Sequence, residues 1–307
     1  MRLIRLTVTV GLLTGLLWLV ADPREIISII RDVSPVSIVI AVLLSAIDRV
    51  VMAFKWWLLL RARGIVISQW LAVRSYFASS LYGLILPVTV GADIVRIVAF
   101  RRFGLTEITA SIVVERLLGA IAMGSVALLS CLLLASTVTD YAVQPLTTWL
   151  VLIIVVSASL FVLSLYVADR VKTRFRRVPK KLHEALKAYG TYRRYPLALG
   201  VFYVLSVAES LIAAVIAYVI SVGIGHPLPL YLLVATVPIA LASARLPISL
   251  GGFGVQEASF VFLSGLVGVS STHALSIFLL VDVTMLIALL PALLDGPMLT
   301  LRRQIGD

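Results

Sequence analysis

Six apolar runs constrain the fold of this chain more than any other feature. A helix needs roughly 20 apolar residues to cross the hydrocarbon layer of a bilayer, and most of the runs reach that length. Only 13% of the residues are charged and 61% are hydrophobic, whereas soluble domains carry about 25% charged residues. We therefore predict an all-α polytopic membrane protein, with residues 1–307 forming a single integral-membrane domain. About six full transmembrane helices are expected, at roughly 3–20, 34–60, 108–136, 146–168, 197–221 and 272–298.

The distribution of positive charge predicts how the chain is oriented. The formal net charge is +11, and 10 of the 26 Lys and Arg residues fall between Arg170 and Arg194. Under the positive-inside rule, this concentration makes segment 169–196 a cytoplasmic loop and places both termini in the cytoplasm. The connections 137–145 and 222–229 contain no Lys or Arg, so they belong on the opposite side. The positive charge lies in the segments predicted to face the cytoplasm, as expected for a protein of the cytoplasmic membrane. It therefore does not indicate a nucleic-acid partner.

Two further apolar segments, 65–100 and 228–268, do not fit as crossings. With all positive clusters in the cytoplasm, the first must enter and leave on the cytoplasmic side and the second on the other side. Each contains Pro and Gly residues, which a backbone that turns inside the membrane requires. Such backbone is tolerated only where protein or a water-filled cavity surrounds it. We predict two re-entrant broken hairpins.

The two hairpins contain an internal repeat. Leu86 to Arg96 reads LPVTVGADIVR, and Leu246 to Gln256 reads LPISLGGFGVQ, so that Leu, Pro, Gly and Val coincide at a separation of 160 residues. Half one, about 34–136, runs crossing, hairpin, crossing. Half two, about 197–298, runs in the same order with the opposite orientation. This is an inverted-topology repeat, and interrupted segments at matching positions in such repeats indicate a substrate site near the middle of the membrane.

Ionisable side chains within the apolar segments are the candidates for that site. Each costs roughly 2.5–3.5 kcal/mol at the bilayer centre, so it is expected to face a cavity, a partner or the interior of the bundle. For Arg49, Lys55 and Arg74 we favour a structural ion pair or a side chain that reaches the membrane surface. The full set is Asp48, Arg49, Lys55, Arg74, Asp93, Arg96, Glu115, Arg116, Glu209, Arg245, Glu257 and Asp282.

Two helix starts after the glycine turns are suited to bind an anion. Asp93 and Arg96 are three residues apart and share a helix face, and Glu257 holds the matching place in half two. The free N–H groups of a helix N-terminus favour a phosphate. The arginines at 96, 116 and 245 would add fork-like donors to the same anion. The acids at 93, 115 and 257 would balance these arginines, hold a cationic headgroup or carry a coupling proton, and the sequence does not choose among these roles.

These residues resemble one integral-membrane family, the flippase-like family named after the transmembrane region of lysylphosphatidylglycerol synthase. The resemblance covers nearly the whole chain. It rests on a first motif, P-x-x-x-G-x-D-x-x-R followed by a helix with E-R, and a second, P-x-x-x-G-G-x-G-V-x-E. It implies a role in moving or handling lipids across the cytoplasmic membrane, with aminoacylated phospholipids or polyprenyl-linked glycolipids as substrates. Relatives often carry an arginine where this chain has Gln256 and near where it has Asp282, which puts binding of the same anionic headgroup in doubt.

We predict a substrate site that combines the motif residues with the nearby charges. It comprises Pro87, Gly91, Asp93, Arg96, Glu115, Arg116, Arg245, Pro247, Gly251, Gly252, Gly254, Gln256, Glu257 and Asp282.

The predicted function is lipid translocation without enzymatic activity, cofactor or metal. One alternative is an accessory subunit beside a lipid-modifying enzyme or glycosyltransferase; a second is a membrane enzyme that uses the same cavity. The chain contains no P-loop motif, so transport would be passive, driven by an ion gradient or driven by consumption of the product. For proton coupling, Asp93, Glu257 and Asp282 are the candidates. Membrane lipids are the expected partners, and assembly into a homo-oligomer is left open.

Overall fold

The computed structural model describes residues 2–85, 91–135, 143–168, 180–244, 249 and 252–294. Within these ranges all regular secondary structure is helical. A π-helical turn, Leu16–Val20, follows the first helix, and short 3-10 turns lie at Arg101–Phe103, Thr191–Arg194 and Leu290–Leu293. The α-helices are α1 (Arg2–Gly15), α2 (Pro23–Asp32), α3 (Pro35–Ala62), α4 (Gln69–Ile85), α5 (Gly91–Ala99), α6 (Leu105–Ala135), α7 (Val143–Val167), α8 (Lys180–Gly190), α9 (Pro196–Gly223), α10 (Leu230–Ser243), α11 (Val255–Gly265) and α12 (Ser271–Leu289).

The helices confirm an all-α polytopic membrane protein. In the described part of the chain, four helical segments are long and apolar enough to cross a membrane: Pro35–Ala62, Leu105–Ser130, Pro196–Gly223 and Ser271–Leu293. They match four of the six predicted crossings. The first predicted crossing, 3–20, is followed by a sharp bend, where Leu6–Val20 meets α2 at an angle of 94°. The predicted crossing 146–168 corresponds to α7, a helix of 25 residues.

Two short helices lie where the sequence predicts connections. The predicted connection 21–33 contains α2, which begins at a proline and is capped by Asp22, whose Oδ1 accepts a hydrogen bond of 2.8 Å from the Arg24 backbone N–H. The predicted basic loop 169–196 is helical from Lys180 onward, where α8 packs against α6 and α7. Its described residues are therefore helical rather than irregular, because α8 has an apolar face that buries Ala188 and Tyr189.

Helices α3 and α9 hold the same position in the two halves and run antiparallel. Each is 28 residues long and begins with a proline. Just before the start of α3, Ser34 donates its N–H to the carbonyl of Gly223 at the end of α9, over 2.9 Å. At the other end, the Tyr192 hydroxyl, four residues before α9, donates to the Leu59 carbonyl over 3.2 Å. This antiparallel pairing is the relationship that an inverted repeat requires.

The first broken segment returns to the end of the bundle where it starts. Just before α4, the carbonyl of Ile67 accepts a 2.9 Å hydrogen bond from the indole N–H of Trp57 near the end of α3. Just after α5, the ring of Phe100 packs edge-on against Trp56, with 5.1 Å between the ring centroids. Helices α4 and α5 therefore form a re-entrant hairpin whose two ends lie beside neighbouring tryptophans of α3.

The second broken segment enters from the opposite end. Before α10, the N–H of Leu228 donates to the Ser221 hydroxyl near the end of α9, over 3.2 Å. The rings of His226 and His273, which precede α10 and follow α11, lie 4.2 Å apart. Because α3 and α9 are antiparallel, this hairpin points against the first one. The predicted site residues Pro87, Arg245, Pro247 and Gly251 lie outside the described residues.

A tight contact closes each hairpin at corresponding places. A Cβ added to Gly83 of α4 would lie 2.4 Å from the backbone nitrogen of Ala92 in α5. In the second hairpin a Cβ added to Gly252 would lie 2.5 Å from the Cβ of Ala244, and Gly252 also has a φ of +90°. Gly252 corresponds to Ala92 at the repeat separation of 160 residues. The glycine at the contact between the two arms of the hairpin thus lies on the first arm in half one (Gly83) and on the second arm in half two (Gly252).

The halves exchange contacts in a reciprocal way, and their basic residues gather at one end. Helix α6 packs against α9 and α10, and α12 packs against α3 and α4. Where α3 and α5 end and α9 begins, the bundle carries Arg61, Arg63, Arg101, Arg102, Arg193 and Arg194, and the Arg63 guanidinium lies 5.7 Å from the Tyr192 ring centre. Helices α3, α4, α5, α6 and α9 frame a cavity between the two halves.

Candidate functional site in the membrane interior

Arg96 is the centre of an ion-pair network in half one. Asp93 and Arg96 lie one turn apart on α5, and an Arg96 Nη2 hydrogen bond of 2.7 Å joins them. The other terminal nitrogen of Arg96, Nη1, donates to Glu115 Oε2 of α6 over 2.7 Å. Arg96 is 2% exposed, and its guanidinium lies 4.6 Å from the ring centre of Tyr76 and 5.0 Å from that of Trp56. The two carboxylates and two rings hold this cation in one orientation.

Arg116 extends the network towards the cavity. Its Nε donates to Asp93 Oδ2 over 2.8 Å, and its side chain is 44% exposed. The Tyr76 hydroxyl donates to the second oxygen of Glu115 over 2.9 Å. Asp93 therefore contacts two arginines, while Glu115 contacts an arginine and a tyrosine. The structure brings together four predicted site residues, Asp93, Arg96, Glu115 and Arg116.

A second ion pair joins the two halves. Lys55 of α3 donates to Glu209 of α9 and, over 3.0 Å, to the Ser206 hydroxyl. Its ammonium also lies 5.0 Å from the ring centre of Phe202. On the same face of α3, Arg49 pairs with its neighbour Asp48 at 2.6 Å. For Lys55 and Arg49 the prediction of structural ion pairs agrees with these contacts.

These side chains surround a cavity of about 150 Å³. It lies between the first hairpin, α6 and the antiparallel pair α3 and α9, at the junction of the two halves. Charged and hydroxyl groups dominate its wall, where four basic side chains face two acidic ones. Residues of the wall are Arg49, Lys55, Tyr76, Ser79, Ser80, Arg96, Glu115, Arg116, Ser206, Glu209 and Ser210, with Met52, Ala92, Gly119, Met123 and Phe202.

The predicted residues of half two form a separate cluster. Glu257, in the first turn of α11, accepts a 2.6 Å hydrogen bond from the N–H of Gly254, and therefore caps its own helix. The Gln256 amide nitrogen donates to Asp282 Oδ1 over 2.9 Å and to Glu257 Oε1 over 3.3 Å. Glu257 thus occupies one donor of the α11 N-terminus, and a phosphate at this helix start stays a prediction. The same cluster includes the turn residue Gly252, whose carbonyl accepts from Gln256.

Three features of the cavity were not predicted from the sequence. Tyr76 was absent from the predicted site, although its hydroxyl orients Glu115. Ser206 and Ser210 lie four residues apart on the face of α9 that also carries Glu209, a spacing that marks a polar stripe on an apolar helix. That stripe was the available signal. Gly91, in contrast, was predicted as a site residue, and it is buried in α5.

The fold and this interior define the class of the protein: a multi-pass α-helical membrane protein with two oppositely oriented halves and charged groups within the bundle. Residues 3–292 match the family described as the lysylphosphatidylglycerol synthase TM region, and the chain belongs to this family. Membership gives the protein a role related to membrane lipids. No curated protein sequence matches the chain.

Proposed function

We propose that the chain is a flippase-like lipid translocase that moves a polar headgroup through the cavity between its two halves. The supporting observation is the cavity itself, whose charged wall lies between helices of membrane-spanning length. An intramembrane charge is costly and is retained where it contacts a partner or a transported group. No covalent step is part of the proposed activity. We also propose that the protein lies in the cytoplasmic membrane with both termini in the cytoplasm, because the basic end of the bundle follows the positive-inside rule.

The guanidinium groups of the cavity wall support a substrate that carries a phosphate. The four basic side chains of the wall are balanced by Asp48, Asp93, Glu115 and Glu209, so the support comes from geometry, because a guanidinium presents paired donors to phosphate oxygens. Arg116 is the most suitable of these, because it is partly exposed while its Nε is anchored by Asp93. Glu115 and Glu209 provide acceptors for an ammonium or a sugar hydroxyl. An aminoacylated phospholipid or a polyprenyl-phosphate-linked glycolipid combines these groups.

The ion pairs also support a second candidate, an accessory subunit of a lipid-modifying enzyme or glycosyltransferase. Each of the contacts Arg96–Glu115, Arg116–Asp93 and Lys55–Glu209 joins opposite charges, as purely structural pairs do. A charge swap separates the two candidates. If the pair is only structural, the double variant Lys55→Glu with Glu209→Lys retains full function in its membrane. If the pair contacts a moving headgroup, the same variant folds but loses transport.

Transbilayer movement in reconstituted vesicles tests the proposed function. Labelled phosphatidylglycerol, an aminoacyl-phosphatidylglycerol and a polyprenyl-phosphate sugar would each be followed with wild type, Arg116→Gln and Glu209→Gln. Arg31→Gln is the matched control, because it removes a positive charge from the exposed surface of α2. We expect movement of one lipid that both cavity variants reduce at least tenfold and the control leaves unchanged. Absence of movement for every lipid would reject translocation and favour the accessory role.

A further inference from the structure

The two halves place different chemical pairs at one structural position. Asp93 lies in the first turn of α5, and Glu257 lies in the first turn of α11. Arg116 is the twelfth residue of α6, and Asp282 is the twelfth residue of α12. In half one, Asp93 and Arg116 form an ion pair, with 2.8 Å between Asp93 Oδ2 and Arg116 Nε. In half two, the carboxyl of Glu257 shares one donor with a second carboxyl, that of Asp282, because the Gln256 amide nitrogen donates to both.

Both carboxyls are buried, and three of their four oxygens accept hydrogen bonds. Glu257 is 0% exposed and Asp282 is 8% exposed. The Gly254 N–H and the Gln256 amide supply donors to Glu257 Oε2, Glu257 Oε1 and Asp282 Oδ1. The remaining oxygen, Asp282 Oδ2, is buried and has no hydrogen-bond donor among the described residues. Two adjacent carboxylates repel strongly away from water, and such a pair is stabilised when it shares one proton.

Charged groups on the neighbouring helices are engaged elsewhere. Helix α12 packs against α2, α3, α4, α9 and α11. The charged residues of α2 are exposed: Arg24, Glu25, Arg31 and Asp32. On α3, Asp48 pairs with Arg49, and on α9, Glu209 pairs with Lys55. Arg74 of α4 also has an interaction of its own. Among the described residues, the hydrogen-bond donor to the Asp282 carboxyl is the Gln256 amide.

We propose that the Glu257–Asp282 pair binds one proton inside the membrane, in the place that the Arg116 guanidinium occupies in half one. Asp282 holds the proton on Oδ2 and donates it to Glu257, whose own negative charge is stabilised by the start of α11. Uptake of a proton from water changes the charge of the pair from −2 to −1, and release reverses it. No other reactant is required.

The pair connects the second hairpin to the long helix that packs on half one. Glu257 lies at the start of α11, and Asp282 lies on α12, which contacts α3 and α4. Release of the proton leaves two negative charges in contact and favours separation of α11 from α12. A segment with two conformations shifts towards the conformation that a bound ligand or proton stabilises. Proton binding therefore biases the second hairpin, and its role in coupling transport to a proton gradient rests on the proposed translocase function.

Infrared spectroscopy of the full chain in lipid bilayers tests the proton site directly. At neutral pH, wild type should show a carbonyl-stretch component from a protonated carboxyl, and this component should disappear in both Asp282→Asn and Glu257→Gln. Asp93→Asn is the matched control, because Asp93 is held by two arginines, and it should leave the component unchanged. A spectrum unaffected by both test variants would overturn the proton site. So would a wild-type spectrum without any such component.

Asp282→Arg provides a second variant that guards against a folding defect. It recreates the acid–arginine pair of half one and should fold with a melting temperature at or above that of wild type, yet lack the protonated component. In vesicles where wild type moves lipid, an imposed pH gradient should change the rate of wild type and not that of Asp282→Arg. Equal responses would reject coupling. If wild type moves no lipid, the translocase function fails while the infrared result still decides the proton site.

Discussion

Arg116 of α6 donates to Asp93 of α5 over 2.8 Å, and the two side chains differ in exposure, at 44% for the arginine and 6% for the acid. A partly exposed cation is thus fixed in place by a buried anion. Arg96 is 2% exposed and contacts the same Asp93. Its guanidinium packs against the rings of Tyr76 and Trp56. The two arginines share one acid and differ in what they can reach.

Replacement of Arg96 by Gln should destabilise the protein strongly. It leaves Asp93 and Glu115 without their common cation, and removal of one partner from a buried ion pair costs about 3–5 kcal/mol. Arg116→Gln should cost only about 1 kcal/mol, because a partly exposed pair contributes little and Asp93 keeps Arg96. Thermal unfolding in detergent measures both. Equal losses in melting temperature would contradict this assignment of roles.

Lys55 and Glu209 should show strong energetic coupling across the two halves. Lys55→Met leaves Glu209 buried without its cation, and Glu209→Gln leaves Lys55 without its anion, so each should destabilise by about 3–5 kcal/mol. The double variant should lose less than the sum of the two single losses, because neither charge is then stranded. A double-mutant cycle from denaturant unfolding measures the coupling. Additive effects would show that the pair does not stabilise the junction.

The tight crossings of the hairpins should tolerate no side chain. Gly83→Ala forces a Cβ against the backbone of Ala92 and should destabilise by about 1–3 kcal/mol, as overpacking does. Gly252→Ala should cost more, because its φ of +90° disfavours any L side chain. Gly265→Ala is the control, since open space surrounds the added Cβ. Melting temperatures should fall in the order Gly265→Ala, Gly83→Ala, Gly252→Ala.

The basic end of the bundle should face the cytoplasm. In a Cys131→Ser background, a single cysteine in place of the exposed Arg194 should react with an impermeant maleimide only after the membrane is opened. A cysteine in place of the exposed His226 should react in intact cells. The two positions lie at opposite ends of α9, so they provide a control for each other. The reverse pattern would invert the proposed orientation.

The sequence predicted the fold class because composition and apolar length determine it directly. The paired Pro and Gly interruptions predicted the two hairpins, and the charge pattern predicted that they enter from opposite sides. Helix α2 was missed because its amphipathic pattern covers only 10 residues. Helix α8 was missed because its basic residues indicated topology more strongly than its short apolar face indicated packing.

The pairing within the site was harder to predict. Asp93 and Arg96 share a turn of α5, so their contact follows from spacing alone. The contact of Lys55 with Glu209 joins residues 154 positions apart, and it depends on the antiparallel register of α3 and α9, which no local pattern specifies. The sequence also predicted one combined site, whereas Glu257 and Asp282 share the Gln256 amide, and Arg96 and Arg116 of half one pair with Asp93 and Glu115. The similarity of the two halves concealed this difference in charge.

Gly83 and Gly252 carry a consequence for how the two halves are compared. Aligned position by position, they count as mismatches, because Gly83 corresponds to Ser243 and Gly252 corresponds to Ala92. The property that both halves share is a small combined volume at two facing positions, which either arm of the hairpin can provide. Divergence after a duplication can therefore move the glycine from one arm to the other without opening the crossing. Internal symmetry in such proteins is better sought in pairs of touching residues than in single columns of an alignment.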